Sequence, residues 1–329
     1  MLSKFANLYF SHYKILKTQM IKNKIIFLLF IFINAAGFAQ REIAITIDDP
    51  NVVATPVLSW EERDDAILKT LDSHKIKAAL FVCGMRVDNI DGKKLLEKWD
   101  DKKHLICNHS YSHFYYNSKS KTSSLFISDF YKGDSLINGY RNYTKLFRFP
   151  YLKEGNTVEK RDSMRATMAK EGYKNGHVTI DASDWYVDEQ IAEALQKDKN
   201  ADLTPYKEYY IQHILNRADY YDSLAHSVFK REIKHTLLVH HSLLNALFLD
   251  DLLVALKAKG WKLIDAKKAF KDSVFSEQPM ITPCGESIVW QCAKQIDSVS
   301  KTLRYPAEDG EYEKEPLEKF LKEYWVKKN

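Results

Sequence analysis

Two adjacent carboxylates, Asp48 and Asp49, close the apolar run Ile43 to Ile47, and two histidines, His109 and His113, follow a second apolar run, His104 to Cys107. Two imidazoles and one carboxylate suit a zinc-type ion and leave positions open for water and substrate, the pattern of a catalytic rather than a structural metal. The spacing of four residues between the histidines places both rings on one side of a helical turn. Arg148, in Arg148-Phe-Pro-Tyr151, ends another strand-like run, and its planar donor set is suited to gripping a carboxylate. Asp184-Trp185 follows the run His177 to Ile180, where a helix cap with a core tryptophan is the alternative reading. His240 closes Leu237-Leu-Val, and its neighbour His241 leaves open which of the two does chemistry.

These groups share a position: each stands at the end of an apolar, strand-like segment. Such segments run over Ile43 to Ile47, Ala78 to Cys83, His104 to Cys107, Leu146 to Phe149, His177 to Ile180, Thr236 to Val239 and Trp261 to Ile264. Helical patterns lie between them. Trp60 to Ser73 opens after Ser59, a capping residue, with apolar Ile67, Leu68 and Leu71 near the 3.6 period. Leu244 to Ala258 repeats the pattern and stops at Gly260. Alternating strands and helices predict an α/β architecture with a mostly parallel sheet, in the form of an open or distorted (β/α) barrel. Val187 to Lys234 breaks the rhythm as a charged, tyrosine-rich helical insertion. Its tyrosines, Tyr206, Tyr209, Tyr210, Tyr220 and Tyr221, read as helix packing ahead of sugar stacking. After Asp272 the barrel pattern stops, and a tail of four prolines ends in an amphipathic stretch, Leu317 to Val326, expected to pack on the barrel or cap its open end.

With 329 residues, 45% of them hydrophobic, the chain can bury a large core as one barrel-sized domain or two smaller ones. The net charge of +5 equals the five lysines among residues 1–39, which hold no acid, so the remainder is neutral. A neutral chain offers no electrostatic case for nucleic acid. Lys22 and Lys24, the apolar run Ile25 to Ile33 and the small residues of Gly37-Phe38-Ala39 read as a signal peptide cleaved before Gln40. That run is shorter than the ~20 apolar residues of a spanning helix, so the expectation is an exported, periplasmic or secreted protein without a stable membrane span after cleavage. Met20 to Ala39 is a complete signal by itself, which makes Met20 a candidate initiator. Of the four cysteines, Cys83 and Cys107 read as small core residues, and Cys284 and Cys292, eight apart, as a candidate disulfide.

In order and roughly in spacing, TIDD, HSYSH, RFPY, DASDW and LVH resemble the five motifs of the polysaccharide deacetylase (NodB-homology, carbohydrate esterase 4) family, over about residues 41 to 272. The resemblance implies a distorted (β/α) barrel of that type with a helical insertion (187–234) and a C-terminal extension. The catalytic domain would span 40–272, preceded by the signal at 1–39 and followed by the extension at 273–329. It implies that Asp49, His109 and His113 hold a divalent metal, zinc first, and that Asp48 is the general base. Arg148 would orient Asp48, Asp184 would hold Arg148, and the Tyr151 N–H would stabilise the oxyanion. His240 would protonate the leaving amine, and Leu238 and Trp185 would shape the pocket for the acetyl methyl. The implied reaction is hydrolysis of N-acetyl, secondarily O-acetyl, groups on an acetylated glycan or oligosaccharide. Pro50 stands where the family usually has glycine, His241 adds a titratable group at the mouth of the site, and the insertion would narrow the groove toward shorter substrates. Two other readings compete: a metal-dependent esterase or phosphoesterase for a non-polymeric substrate, and a non-catalytic carbohydrate-binding protein on the same fold.

Overall fold

In the computed structural model, residues 40–306 and 310–328 are described; the expected signal segment lies outside them. The strands are β1 (Glu42–Asp48), β2 (Ala79–Val82), β3 (Leu105–Asn108), β4 (Tyr143–Phe147), β5 (Lys153–Gly155), β6 (Lys174–Asn175), β7 (Lys234–His240), β8 (Lys262–Leu263) and β9 (Cys284–Gly285). The principal helices are α1 (Trp60–Ser73), α2 (Ile90–Asp101), α3 (Ser123–Ile137), α4 (Val158–Lys170), α5 (Asp184–Lys197), α6 (Thr204–Phe229), α7 (Leu243–Ala258), α8 (Ile288–Lys294) and α9 (Glu311–Lys328).

β1 is buried on both faces from Ile43 to Asp48, as expected of a parallel strand covered by helices. Its alternation separates two tasks. Ile43, Ile45 and Ile47 pack with Leu68 and Leu71 of α1 and Leu252 and Leu253 of α7, each such side chain contributing roughly 1.5–3 kcal/mol by burial. Ala44 packs on the opposite face with Ala79, Phe81 and Cys107, and Thr46 and Asp48 share that face by the two-residue period. α1 starts where expected because Ser59 and Glu62 form a reciprocal capping box, which satisfies two otherwise unpaired N–H groups.

The sheet runs β6-β4-β3-β2-β1-β7, with β8 beside the start of β1, and all these pairings are parallel. Beyond β6 the chain continues to Ile180, which bridges Leu237 of β7. The Ile180 N–H reaches Thr236 O at 3.0 Å and the Leu238 N–H reaches Ile180 O at 3.2 Å. One segment therefore pairs with both edges of the sheet, giving the distorted (β/α) barrel. Two strands differ from expectation. The fourth ends at Phe147 rather than Phe149, before Pro150, which lacks an N–H and restricts the residue preceding it. The run 177–180 makes a single bridge, with the ladder to β4 formed earlier, at Lys174 and Asn175.

The insertion is α5 and α6. Tyr209, Tyr210 and Tyr221 are buried in the core, and Tyr206 and Tyr220 pack against it, so these tyrosines serve helix packing. Past Asp272, β9 pairs antiparallel with β5, and α8 and α9 lie against α6. The four cysteines are free and buried, which overturns the disulfide reading. Gln291, not Cys292, meets Cys284, its Oε1 at 3.2 Å from Sγ; the next residue along α8 is turned by about 100° from that contact. No described helix is long and apolar enough to cross a membrane.

Candidate metal-assisted hydrolytic site

Asp48 and His240 are paired neighbours across β1 and β7, so the sheet delivers both to one rim. Arg148 arrives from the end of β4 and is itself buried. Its Nη1 donates to Asp48 Oδ1 at 2.6 Å and to Thr46 Oγ1 at 3.0 Å, and its Nε donates to the Gly176 carbonyl at 2.8 Å. The guanidinium lies over the Phe81 ring, 3.8 Å from its centroid. Burial pushes the Asp48 carboxyl up, Arg148 and His240 hold it down, and the balance leaves it at about 6. A carboxylate poised just below neutrality suits a general base.

Asp49, His109 and His113 bring one ligand atom each within 4.8 Å of one another. Asp49 has left-handed backbone (φ 58°), which takes its side chain out of the strand pattern. His113 Nε2 stands 3.3 Å from Asp49 Oδ2. His109 Nδ1 lies 2.8 Å from the Arg148 carbonyl; a carbonyl only accepts, so Nδ1 carries the proton and Nε2 keeps its lone pair. Burial pulls His109 down to about 3 and also lowers His113, and both rings are neutral at pH 7. Burial would raise Asp49, but His113, His109 and Arg86 outweigh it and keep the group ionised. Asp49 Oδ1 is buried and accepts no hydrogen bond. Arg86 Nε is 3.2 Å from it but out of line for donation. Two neutral imidazoles and an anionic carboxylate with an open oxygen fit a divalent cation.

The histidines do not lie on a helical turn. Residues 109–113 form a loop with left-handed Ser110 and His113, and the spacing works because the Asp129 carboxylate accepts the Tyr111 N–H at 3.1 Å and the Ser112 N–H at 2.9 Å. Gly133 of α3 allows that helix to approach, since a Cβ there would stand 2.7 Å from Asn108 Oδ1 and 2.8 Å from the Ser110 carbonyl carbon. Of the nine described non-glycine residues with positive φ, five (Asp49, Ser110, His113, Tyr151 and Leu152) belong to these site loops, so backbone strain is concentrated around the site.

His240 Nδ1 donates to Asp184 Oδ1 at 2.7 Å, and the His240 main-chain N–H donates to Asp184 Oδ2 at 2.8 Å. Asn245 Nδ2 also donates to Oδ2, at 2.8 Å, and the Tyr210 hydroxyl holds the Asn245 carbonyl at 2.6 Å. Burial works against protonation, but Asp184, followed by Asp48 and Asp49, carries His240 up to about 10. Asp184 therefore holds His240 and not Arg148: it opens α5 beside β7, while Arg148 is engaged from Thr46, Asp48 and Gly176. His241 is not at the mouth. It follows His240 by one residue and turns to the other side, where it is buried with Nε2 3.2 Å from Asp64 Oδ1 and its ring 6.4 Å from that of Trp99.

Tyr151 has left-handed backbone (φ 55°), and its ring meets that of His113 at 4.6 Å. Leu238 is buried with Leu152 and Val178. Trp185 is separate from that cluster, 6.0 Å ring to ring from Tyr186 and against Gly310. Sequence reasoning missed Arg86, Asp129 and Asn245. None sits in a recognisable motif, and each acts through a chain segment distant in sequence.

Residues 36–176 match the family model described as polysaccharide deacetylase. No curated protein matches the chain. Among solved structures, a peptidoglycan deacetylase from Bacillus subtilis is 21% identical over 71% of this chain and 91% of its own (TM-score 0.46). A polysaccharide deacetylase from Bacillus cereus is 19% identical over 69% and 92% (TM-score 0.49). A carbohydrate esterase 4 pseudoenzyme from Bacillus anthracis is 18% identical over 70% and 66% (TM-score 0.48).

Proposed function

We propose that this chain, whose residues 36–176 match the polysaccharide deacetylase family model, is a metal-dependent hydrolase that removes N-acetyl, secondarily O-acetyl, groups from an acetylated glycan or oligosaccharide. In this reading residues 1–39 direct export to the periplasm or beyond, 40–272 are the catalytic domain, and 273–329 extend it. One observation carries the proposal: the Asp49, His109 and His113 cluster adjoins a base locked by Arg148 and an acid locked by Asp184 at one end of one sheet.

When bound by Asp49, His109 and His113, a divalent ion, zinc first, lowers the pKa of water beside it and polarises the substrate carbonyl. Asp48, ionised above about 6, takes a proton from the attacking water, its orientation set by the 2.6 Å bond from Arg148 to the other oxygen. The Tyr151 N–H donates to the oxygen on which negative charge develops. His240, protonated up to about 10, gives its proton to the leaving nitrogen as the C–N bond breaks, releasing acetate and an amine. Leu238, packed with Leu152 and Val178, lines the apolar side of the acetyl group; Trp185, which packs on Tyr186 outside that cluster, is assigned to the pocket by the motif resemblance alone.

Acetate release from chitin oligosaccharides, peptidoglycan and acetylated xylan is to be measured on metal-stripped protein before and after adding zinc. Release is expected to return with zinc and to be lost in Asp48→Asn. Equal release from Asp48→Asn, or none from the panel with zinc shown to be bound, overturns the reading.

A further inference from the structure

A cavity of about 480 Å³ is lined by Tyr115, Asn117, Lys153, Glu286, Trp290 and Lys294 among others. Its connection to the chemistry runs through Tyr151, whose ring meets His113 at 4.6 Å and Tyr115 at 5.5 Å. Its far wall comes from residues 281–294, outside both the family match and the barrel. That wall is joined directly to the segment after Tyr151. β9 pairs with β5, the Glu286 N–H donates to the Leu152 carbonyl at 3.0 Å, and Lys153 and Glu286 form an ion pair. The approach is close enough to need Gly285, where φ is 139° and a Cβ would stand 2.2 Å from Leu152 O.

The lining has the two kinds of surface that a pyranose presents. Tyr115 is 46% exposed and offers its ring toward solvent. Trp290 is partly buried, its Nε1 donating to the Arg304 carbonyl at 3.0 Å and Lys294 Nζ lying 5.4 Å from its ring centroid. Aromatic faces pack against the C–H face of a sugar ring, and the amide of Asn117 with the charged groups of Lys153, Glu286 and Lys294 can meet its hydroxyl rim. The volume falls within the ~300–1,000 Å³ range of small-molecule pockets.

We propose that this cavity is a sugar-binding subsite, built by the C-terminal segment, which takes the residue next to the one being deacetylated. The chain then acts on oligomeric acetylated glycans in preference to single sugars. This rests on the deacetylase reading above and deepens it.

The test uses the zinc-loaded full chain and a ladder of N-acetylglucosamine oligomers of one to five units. The expected kcat/KM rises about tenfold or more from monomer to trimer, which is ~1.4 kcal/mol of added contact. In Tyr115→Ala and Trp290→Phe that ratio collapses toward one, through KM. A flat ladder in the wild type, or an intact ratio in both variants, overturns the subsite. A turnover-independent arm separates this from failure of the deacetylase reading. Trimer is titrated against tryptophan fluorescence, with saturable quenching expected in the wild type and absent in Trp290→Phe. Quenching without acetate release sinks the reaction and keeps the subsite; release without quenching or length dependence does the reverse.

Discussion

Replacing Asp184 by asparagine keeps the side chain's size and removes one charge from around His240. The carboxylate takes the imidazole at 2.7 Å and two further N–H groups at 2.8 Å. Burial alone would pull His240 below its ordinary value, and Asp184 is the largest influence opposing it. Without that charge the imidazole falls back toward its ordinary ~6.5, with Asp48 and Asp49 still opposing burial. At pH 7.5 a group at about 10 is almost wholly protonated, whereas one at ~6.5 is protonated about one time in ten. That alone is a tenfold loss of the acid. An asparagine amide can also donate where the ring Nδ1–H did, which favours the wrong tautomer, and general acid catalysis as a whole is worth ~10²–10⁴. The expected result for Asp184→Asn is a kcat about 10²–10³ lower at pH 7.5, with the alkaline limb of the profile moved from near 10 to between ~6 and ~7. Acetate release from a zinc-loaded enzyme, followed across the pH range with substrate saturating, reads both quantities. An alkaline limb that stays near 10, or a kcat within about threefold of wild type, would refute the assignment of the proton to this pair.

Arg148→Met removes the cation that holds the Asp48 carboxyl down. The acid limb of the rate profile, near 6 in the wild type, is expected to move to higher pH, so the variant loses more activity at pH 6.5 than at pH 8.5. Arg86→Ala takes away a positive charge 3.2 Å from Asp49 Oδ1; zinc binding measured by competition with a chelator is expected to tighten about tenfold, roughly 1.4 kcal/mol. Asp64 is fully buried, with Trp99 Nε1 at 2.7 Å, His241 Nε2 at 3.2 Å and Lys98 Nζ at 2.7 Å. Asp64→Ala strands those partners and is expected to cost about 3–5 kcal/mol in denaturant unfolding. Although burial raises the Asp64 carboxyl, His241, Lys98 and Trp99 hold it below its ordinary value. Its stabilisation is therefore present above ~pH 4 and fades as pH falls through the lowered value. The gap between variant and wild type should narrow in acid.

The strands at the centre were legible because β-branched residues such as Ile43, Ile45 and Val239 favour the extended backbone and are buried there. The start of α1 was legible from Ser59 and Glu62, whose mutual capping is local chemistry. What failed depended on orientation rather than composition. The i, i+4 histidines suggested a helix, but the loop is held by Asp129, a residue 20 and 16 positions away from His109 and His113. His241 and His240 were indistinguishable by type, and only the strand's alternation sends one to the rim and the other to Asp64. Asp184 was attached to the wrong partner because a motif's order along the chain does not say which strand end it faces. Cys284 and Cys292 were close in sequence, yet the helical turn presents Gln291 in between.

The pairing of Asp48 with His240 across β1 and β7 makes the two strands a ruler. Neighbouring strands stand about 4.8 Å apart because their backbone hydrogen bonds require it, so the gap between the two proton-carrying groups is set by main chain that no substrate-facing loop contributes to. Loops around the rim can be lengthened or exchanged to meet a new substrate, and the spacing of the two groups survives each change. Under the proposed subsite, a change of specificity is made in residues 281–294, with the two strands left alone. A slip of one residue between them would exchange Asp48 for Ile47 and send the carboxylate into the helix-covered core.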